Sequence, residues 1–139
     1  MGKTHRFALR VYFEDTDTAG IVYYANYLRF MERARSDMLR AVGIDQRAAL
    51  EGGDGVYAVA EAYIKYRASA RLDDALVVVS HVREVRAASC VIQQQVMRGS
   101  EILTHAKVTA AFLSPDGRPR RQPRAWVEIF ERLKGELEA

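Results

Sequence analysis

Polar and apolar residues change periodicity several times along the chain, and each change marks an element. In H-R-F-A-L-R-V-Y-F, residues 5–13, Phe7, Leu9, Val11 and Phe13 alternate with mostly polar neighbours, the period-two pattern of a half-buried strand. Acidic and hydroxyl residues then take over in Glu14-Asp15-Thr16-Asp17-Thr18-Ala19-Gly20, which reads as a loop punctuated by glycine. From Asn26 to Val42 the polar residues Arg29, Glu32, Arg33, Ser36, Asp37 and Arg40 recur at helical spacing along one arc. The other arc carries Tyr27, Leu28, Phe30, Met31, Ala34, Met38, Leu39, Ala41 and Val42, wide enough to be largely enclosed. Gly43 stands where a C-terminal cap belongs. Arg35 breaks the pattern, since it falls inside the apolar arc between Leu28 and Val42.

After the glycine-rich connector Gly52-Gly53-Asp54-Gly55 the pattern turns strand-like in four runs: Val56–Arg67, Leu76–Val85, Ser89–Arg98 and Ile102–Leu113. Gly99-Ser100 makes the last turn. Pro115-Asp116-Gly117 ends the sheet, and Pro123–Leu137, with Trp126, Ile129, Phe130 and Leu133 at helical spacing, predicts a short helix. The order is one strand, one long helix, then four strands joined by short turns. It predicts an α+β chain in which an antiparallel meander packs on the helix.

Composition narrows the class. A length of 139 residues predicts one domain over 1–139, with a basic segment and short helix at about 115–139. Cys90 is the only cysteine, so no internal disulfide forms, and a reducing cytoplasm is the expected compartment. No apolar run approaches the roughly 20 residues of a membrane span, so no membrane insertion is expected. His5, His81 and His105 are far apart in predicted strands, so no metal site is expected. Cys90, beside Val91 and Ile92, reads as a small core residue. No G-x-S-x-G occurs, which removes the α/β-hydrolase route to ester cleavage.

Chemistry concentrates in D-T-D-T-A-G, residues 15–20. A calcium loop starting at Asp15 fails, with Ala19 at position five and Asn26 in place of the bidentate Glu. A D-x-D-x-T phosphatase wants a hydroxyl residue at Ala19 and a larger doubly wound sheet. Taken alone, the string reads as a turn-forming and capping segment.

The longer string from Tyr12 to Leu39 changes that reading. It closely resembles the 4-hydroxybenzoyl-CoA thioesterase family of the hotdog-fold superfamily, and most of all the Tol-Pal system-associated acyl-CoA thioesterases. The pattern E-D-T-D-x-x-G-x-V-Y-x-x-x-Y, followed by a helix with E-R-A-R, is matched at Glu14–Asp17, Gly20, Val22, Tyr23, Tyr27 and Glu32–Arg35. Tyr66, Ala70, Asp74, Arg86 and Ser89 match further along.

The resemblance implies a hotdog fold, an antiparallel sheet wrapped around a long central helix. It implies an acyl-CoA thioesterase acting on short-chain or aromatic acyl groups, with Asp17 as nucleophile or general base and the Tyr24 backbone amide as oxyanion donor. It further implies Gly20, Val22, Tyr23 and Tyr27 around the acyl group, with Arg86 and Ser89 toward the nucleotide of coenzyme A. Coenzyme A is part of the substrate, and no separate cofactor is expected. A homodimer or homotetramer is expected, with sites at the interface between copies. Many relatives of the Tol-Pal type carry His where this chain has Tyr24, whereas the hydroxybenzoyl type carries an aromatic, so no histidine is expected in the chemistry.

Two charged features remain open. As structure, Arg35 is expected to snorkel past the helix end or pair with an acidic residue of a neighbouring strand; as function, it would help order the site at the interface between copies, and the structural reading is favoured. Arg118-Pro119-Arg120-Arg121-Gln122-Pro123-Arg124 holds four arginines in seven positions. It suits phosphate binding or an acidic partner such as acyl carrier protein, or it is a solvated tail; without interleaved aromatics, nucleic acid is not expected. The competing function is a non-catalytic hotdog protein that binds acyl-CoA or acyl carrier protein and links lipid synthesis to envelope organisation.

Overall fold

The computed structural model describes residues 4–134. Five strands, β1 (His5–Arg10), β2 (Val56–Tyr66), β3 (Ala75–Val85), β4 (Ser89–Arg98) and β5 (Glu101–Leu113), form one antiparallel sheet in the order β1-β3-β4-β5-β2. Three helices accompany them: α1 (Asn26–Ala41), α2 (Gln46–Glu51) and α3 (Arg124–Leu133). Only β3, β4 and β5 make the expected meander. β2 pairs with β5 instead of β3, because residues 67–74 are too long for a tight turn and carry the chain across the sheet. Arg67 and Ala68 hold that crossing in place by donating to the Leu103 carbonyl at 2.8 and 3.1 Å.

α1 lies on one face of the sheet. Phe30, Met31 and Ala34 pack with Val78, Val96, Leu103 and Ala106, all buried. Each large side chain enclosed there contributes about 1.5–3 kcal/mol by removing apolar area from water. A second cluster joins Met38 and Leu39 at the end of α1 to Val82, Cys90, Ile92 and Phe130 of α3. Leu28 and Ala41, expected within the enclosed arc, are exposed. They lie off the stripe Tyr27-Phe30-Met31-Ala34-Met38 that faces the sheet, so this chain alone does not cover them.

Two local departures have clear causes. The first strand ends at Arg10, and Phe13, expected in its buried stripe, is 81 % exposed. A 3₁₀ turn over Phe13–Asp15 rotates it outward, held by the Asp15 carboxylate, which accepts from the Tyr12 N–H at 2.8 Å. α2 was not expected, yet its cap was readable: Asp45 accepts from the Ala48 N–H at 2.9 Å before Q-R-A-A-L-E. Gly55 is required where the connector enters β2. Its φ is +144°, and a Cβ there would lie 2.5 Å from the Leu113 carbonyl oxygen. α3 spans Arg124–Leu133; Lys134, expected within the helix, is extended and ends it, and residues 135–137 of the expected helix lie outside the described residues.

Candidate active site

The acidic loop folds back on itself between β1 and α1. Thr16 and Val22 form an antiparallel bridge, the Asp17 N–H donates to Ile21 O at 2.9 Å, and Gly20 N–H donates to Asp17 O at 3.0 Å. That turn needs φ +81° at residue 20, which explains the glycine. Asp17 Oδ1 accepts from the Ala19 N–H at 2.8 Å. This bond fixes the carboxylate's orientation, and Asp17 lines the groove described below. Asp15 has a structural role, since its carbonyl accepts from the Tyr23 N–H and from Asn26 Nδ2, both at 2.9 Å. The two aspartates two residues apart therefore differ: Asp15 is taken up by bonds within the loop and to α1, while Asp17 lines the groove.

The start of α1 is left uncapped. Ala25 at the N-cap position offers no side-chain acceptor, and the first helical residue, Asn26, turns its side chain back to Asp15. Among the described residues neither the Tyr24 nor the Ala25 N–H has a hydrogen-bond partner, whereas Asn26 N–H is satisfied by Tyr23 O at 2.8 Å. Free amides at the positive end of a 16-residue helix suit a negatively charged oxygen.

Around these donors the chain builds an open groove of about 310 Å³, lined by Asp17, Val22, Tyr24, Tyr27, Tyr66 and Ala68 among others. Its wall is aromatic. Tyr24 meets Tyr66 edge-on with ring centroids 6.0 Å apart, and Tyr27 meets Tyr66 at 5.7 Å. Tyr23 packs on Tyr24 at 5.0 Å. Tyr27 is buried, and its hydroxyl accepts from the Ala70 N–H at 3.0 Å. Burial, more than any charge nearby, raises the Tyr27 pKa above the ordinary phenol value and keeps it neutral. Ala70 O in turn accepts from the Val22 N–H at 2.9 Å. Asp74 accepts from the Arg71 N–H and from Arg98 Nη1, both at 2.8 Å; these bonds hold its carboxyl below the usual carboxylate range. The spacing Tyr66…Ala70…Asp74 is thus the frame of the groove. Tyr66 belongs to the site although the acidic loop alone does not reveal it.

The structure brings together Asp17, Gly20, Val22, Tyr23, Tyr24 and Tyr27. It does not bring Arg86 and Ser89 to them. These two close the β3–β4 turn, where Arg86 N–H donates to Ser89 O at 2.8 Å. Gln122 anchors that turn, its Nε2 donating to Arg86 O at 2.8 Å and Ser89 O at 3.1 Å. Arg86 pairs with Glu84 at the surface. The neighbouring Cys90 packs against Met38 and Leu39 in the last turns of α1, while Asp17 stands by its first turn. Sixteen residues of helix separate the two ends, about 24 Å.

The same basic end contains Arg83, Arg86, Arg121 and Arg124, all exposed. Arg120 has a different task, as its Nη1 donates to Gly53 O and Asp54 O at 3.1 and 2.7 Å and pins the connector after α2. Arg118 pairs with Asp116. Of the three histidines, His5 bonds Asp37 at 2.8 Å and ties β1 to α1. Among the described residues no helix is long and apolar enough to cross a membrane.

An uncapped helix start, an oriented carboxylate and an aromatic-walled groove stand together here, and the fold and sequence agree with a known family. Residues 19–105 match the thioesterase superfamily, and the chain belongs to it. The chain is 42% identical over 129 residues to the acyl-CoA thioesterase YbgC of Haemophilus influenzae, covering 92% of this chain and 95% of that protein. It is 36% identical over 128 residues to the acyl-CoA thioester hydrolase YbgC of Escherichia coli O6:H1, covering 91% and 95%. Among solved structures, a probable thioesterase from Bartonella henselae superposes with a TM-score of 0.82 at 34% identity, over 86% of this chain and 99% of that one. A mutant 4-hydroxybenzoyl-CoA thioesterase complexed with 4-hydroxybenzoyl-CoA shares the fold, with a TM-score of 0.83 at 24% identity over 93% and 99%. The α+β hotdog architecture and a thioesterase are therefore the class of this chain.

Proposed function

We propose that the chain hydrolyses acyl-CoA thioesters, with Asp17 as the reacting carboxylate and the Tyr24 amide as oxyanion donor. The observation that carries this reading is the pairing of a carboxylate, oriented by the Ala19 N–H, with unpartnered N–H groups at the start of α1 on the same groove. The thioester carbonyl would point at the Tyr24 N–H, so charge gathering on its oxygen meets a donor already in position. Asp17 then either takes a proton from the attacking water or attacks the acyl carbon and forms an anhydride that water opens. Both routes break the C–S bond, release the thiol of coenzyme A and leave the free acid. Tyr23, Tyr24 and Tyr27 narrow the groove in favour of short or aromatic acyl groups.

The working unit we propose is a pair of chains or a tetramer built from such pairs. β2 is an 11-residue edge strand free of proline, with Val59 and Tyr63 exposed on it, and Leu28 is uncovered on the flank of α1. Such an edge is ordinarily covered by pairing. Two copies joined antiparallel along β2 would run their helices in opposite directions and bring one copy's Arg86, Ser89, Arg121 and Arg124 toward the other's Asp17. The phosphates of coenzyme A then have cations within reach. The same arginines suit the acidic surface of an acyl carrier protein as an alternative carrier of the acyl group. A buried lone thiol at Cys90 is in keeping with a reducing cytoplasm.

Asp17→Asn keeps the Ala19 bond and the loop, so it isolates the charge. With butyryl-CoA and benzoyl-CoA, kcat is expected to fall about 10²–10⁴-fold while mass in solution and Tm stay as in the wild type. A folded Asp17→Asn oligomer that turns over both at the wild-type rate would remove Asp17 from the chemistry and favour the non-catalytic reading.

A further inference from the structure

Arg35 carries a charge that this chain leaves without an opposite charge. It stands on the flank of α1 facing β2, and its Nη1 donates to Gln94 Oε1 at 2.9 Å. The acidic partner expected for it is absent, since no ion pair among the described residues includes Arg35. Gln94 itself is buried and fully used, its Nε2 donating to Met31 O at 3.0 Å and Ser80 Oγ at 2.9 Å. Desolvation lowers the Arg35 pKa below the ordinary guanidinium value, and the nearby Glu32 charge offsets only part of that effect. A cation withdrawn from water in this way is ordinarily matched by an anion.

Arg35 lines a cavity of about 130 Å³ whose walls include Leu39, Tyr57, Ile92, Ala110 and Phe130. A cavity of about 150 Å³ with Leu, Ile and Phe walls holds benzene, so this one has room for roughly four to six heavy atoms. Apolar walls with one guanidinium fit an amphiphile, with the alkyl end against Ile92 and Phe130 and the acid on the planar fork of Arg35. Glu32 also lines the cavity, but its carboxylate accepts from Ser36 Oγ at 2.6 Å instead of closing on Arg35. It weakens an anion's binding without filling the position.

We propose that Arg35 and this cavity form a binding site for a short-chain carboxylate. The carboxylate has two sources: a free acid of the kind that thioester hydrolysis releases, or the far carboxylate of a dicarboxylic acyl-CoA held in a neighbouring copy's groove. Binding of a free acid does not depend on which acyl-CoA is the substrate. The second source alone rests on the proposed paired arrangement.

Titration calorimetry on the native oligomer with butyrate and with 1-butanol tests the site. Butyrate is expected to bind once per chain and at least tenfold more tightly than butanol. Arg35→Gln should weaken butyrate at least tenfold, Glu32→Gln should strengthen it, and Ala110→Leu, which fills the cavity with Arg35 intact, should abolish it. Equal binding of butyrate and butanol, no butyrate binding, or unchanged butyrate affinity in a folded Ala110→Leu protein would each overturn the proposal. The sources separate by kinetics with glutaryl-CoA and pentanoyl-CoA. A preference of at least tenfold in kcat/KM for glutaryl-CoA, lost in Arg35→Gln, assigns the site to the end of the substrate. Butyrate binding without that preference assigns it to the free acid.

Discussion

The Tyr66 hydroxyl donates to the Tyr24 carbonyl at 3.2 Å, and the Tyr24 N–H, on the other side of the same residue, is one of the two free donors at the start of α1. Tyr66 therefore holds the backbone whose amide is proposed to receive the oxyanion. Burial is the largest cause raising the Tyr66 pKa, with the neighbouring Tyr24 and Tyr27 adding to it, so the hydroxyl keeps its proton and remains a donor at neutral pH. Tyr66→Phe preserves both ring contacts and removes only this bond. A hydrogen bond of this kind contributes about 0.5–1.5 kcal/mol, so kcat should drop roughly 2- to 10-fold with KM little changed. Tyr66→Leu, which removes the ring from the groove wall, should raise KM as well. Steady-state kinetics on one substrate check both, and an unchanged kcat in Tyr66→Phe would free the oxyanion geometry from Tyr66.

The arginines of the basic segment divide into structural and ligand-facing ones. Arg120 bonds two carbonyls of the connector between α2 and β2, so Arg120→Ala should cost about 1 kcal/mol and lower Tm by roughly 3–5 °C. Arg121 and Arg124 are exposed and take part in no ion pair among the described residues. The double variant Arg121→Ala/Arg124→Ala should keep its Tm and raise KM for an acyl-CoA, with the difference shrinking as salt is added. A KM unchanged at low salt would leave these two side chains as solvated surface.

Most of the fold is written in local periodicity, and the part that is not depends on relations between distant segments. The helix Asn26–Ala41 and strands β3 to β5 follow from the spacing of apolar residues, because each buries one stripe or face within its own length. β2 shows the limit: its alternation reveals a strand, but nothing within it says that its partner is β5 across the sheet. Asp17, Gly20 and Tyr24 could be named as candidates because they lie together in the one short string that carries the family resemblance, whereas turn chemistry alone reads that string as a capping segment. Tyr66 needed the fold, since its bond to Tyr24 spans 42 positions. Arg86 and Ser89 could be named but not positioned: they lie at the opposite end of α1 from Asp17, and nothing within their own short segment reveals that separation. For Arg35 the helical wheel located the charge correctly inside the apolar arc. The kind of partner was not readable, and it is the neutral Gln94 and not a carboxylate.

The thiol of Cys90 couples the basic end of the sheet to alkaline stability. Cys90 is buried and its Sγ donates to Gln122 Oε1 at 3.2 Å, the same oxygen that takes the Tyr57 hydroxyl at 2.6 Å. Burial is the largest cause pushing the thiol up to about 12, with the Gln122 bond acting in the opposite direction and the Glu131 charge adding to the rise. In the unfolded chain a cysteine titrates at about 8.5, so the folded form holds this proton more tightly. The resulting stability is complete below about pH 8.5 and is lost as pH rises through the folded value, and by pH 10.5 the loss reaches about 2–3 kcal/mol. Urea midpoints measured from pH 7 to 10.5 should fall steeply for the wild type and less steeply for Cys90→Ala, whatever the offset between their values at pH 7. Burial raises Tyr57 in the same direction, so Cys90→Ala should retain part of the alkaline loss, and adding Tyr57→Phe should flatten the curve further. Parallel curves for the wild type and Cys90→Ala would mean that the folded thiol titrates as it does in water, which its enclosure beneath Gln122 and α3 argues against.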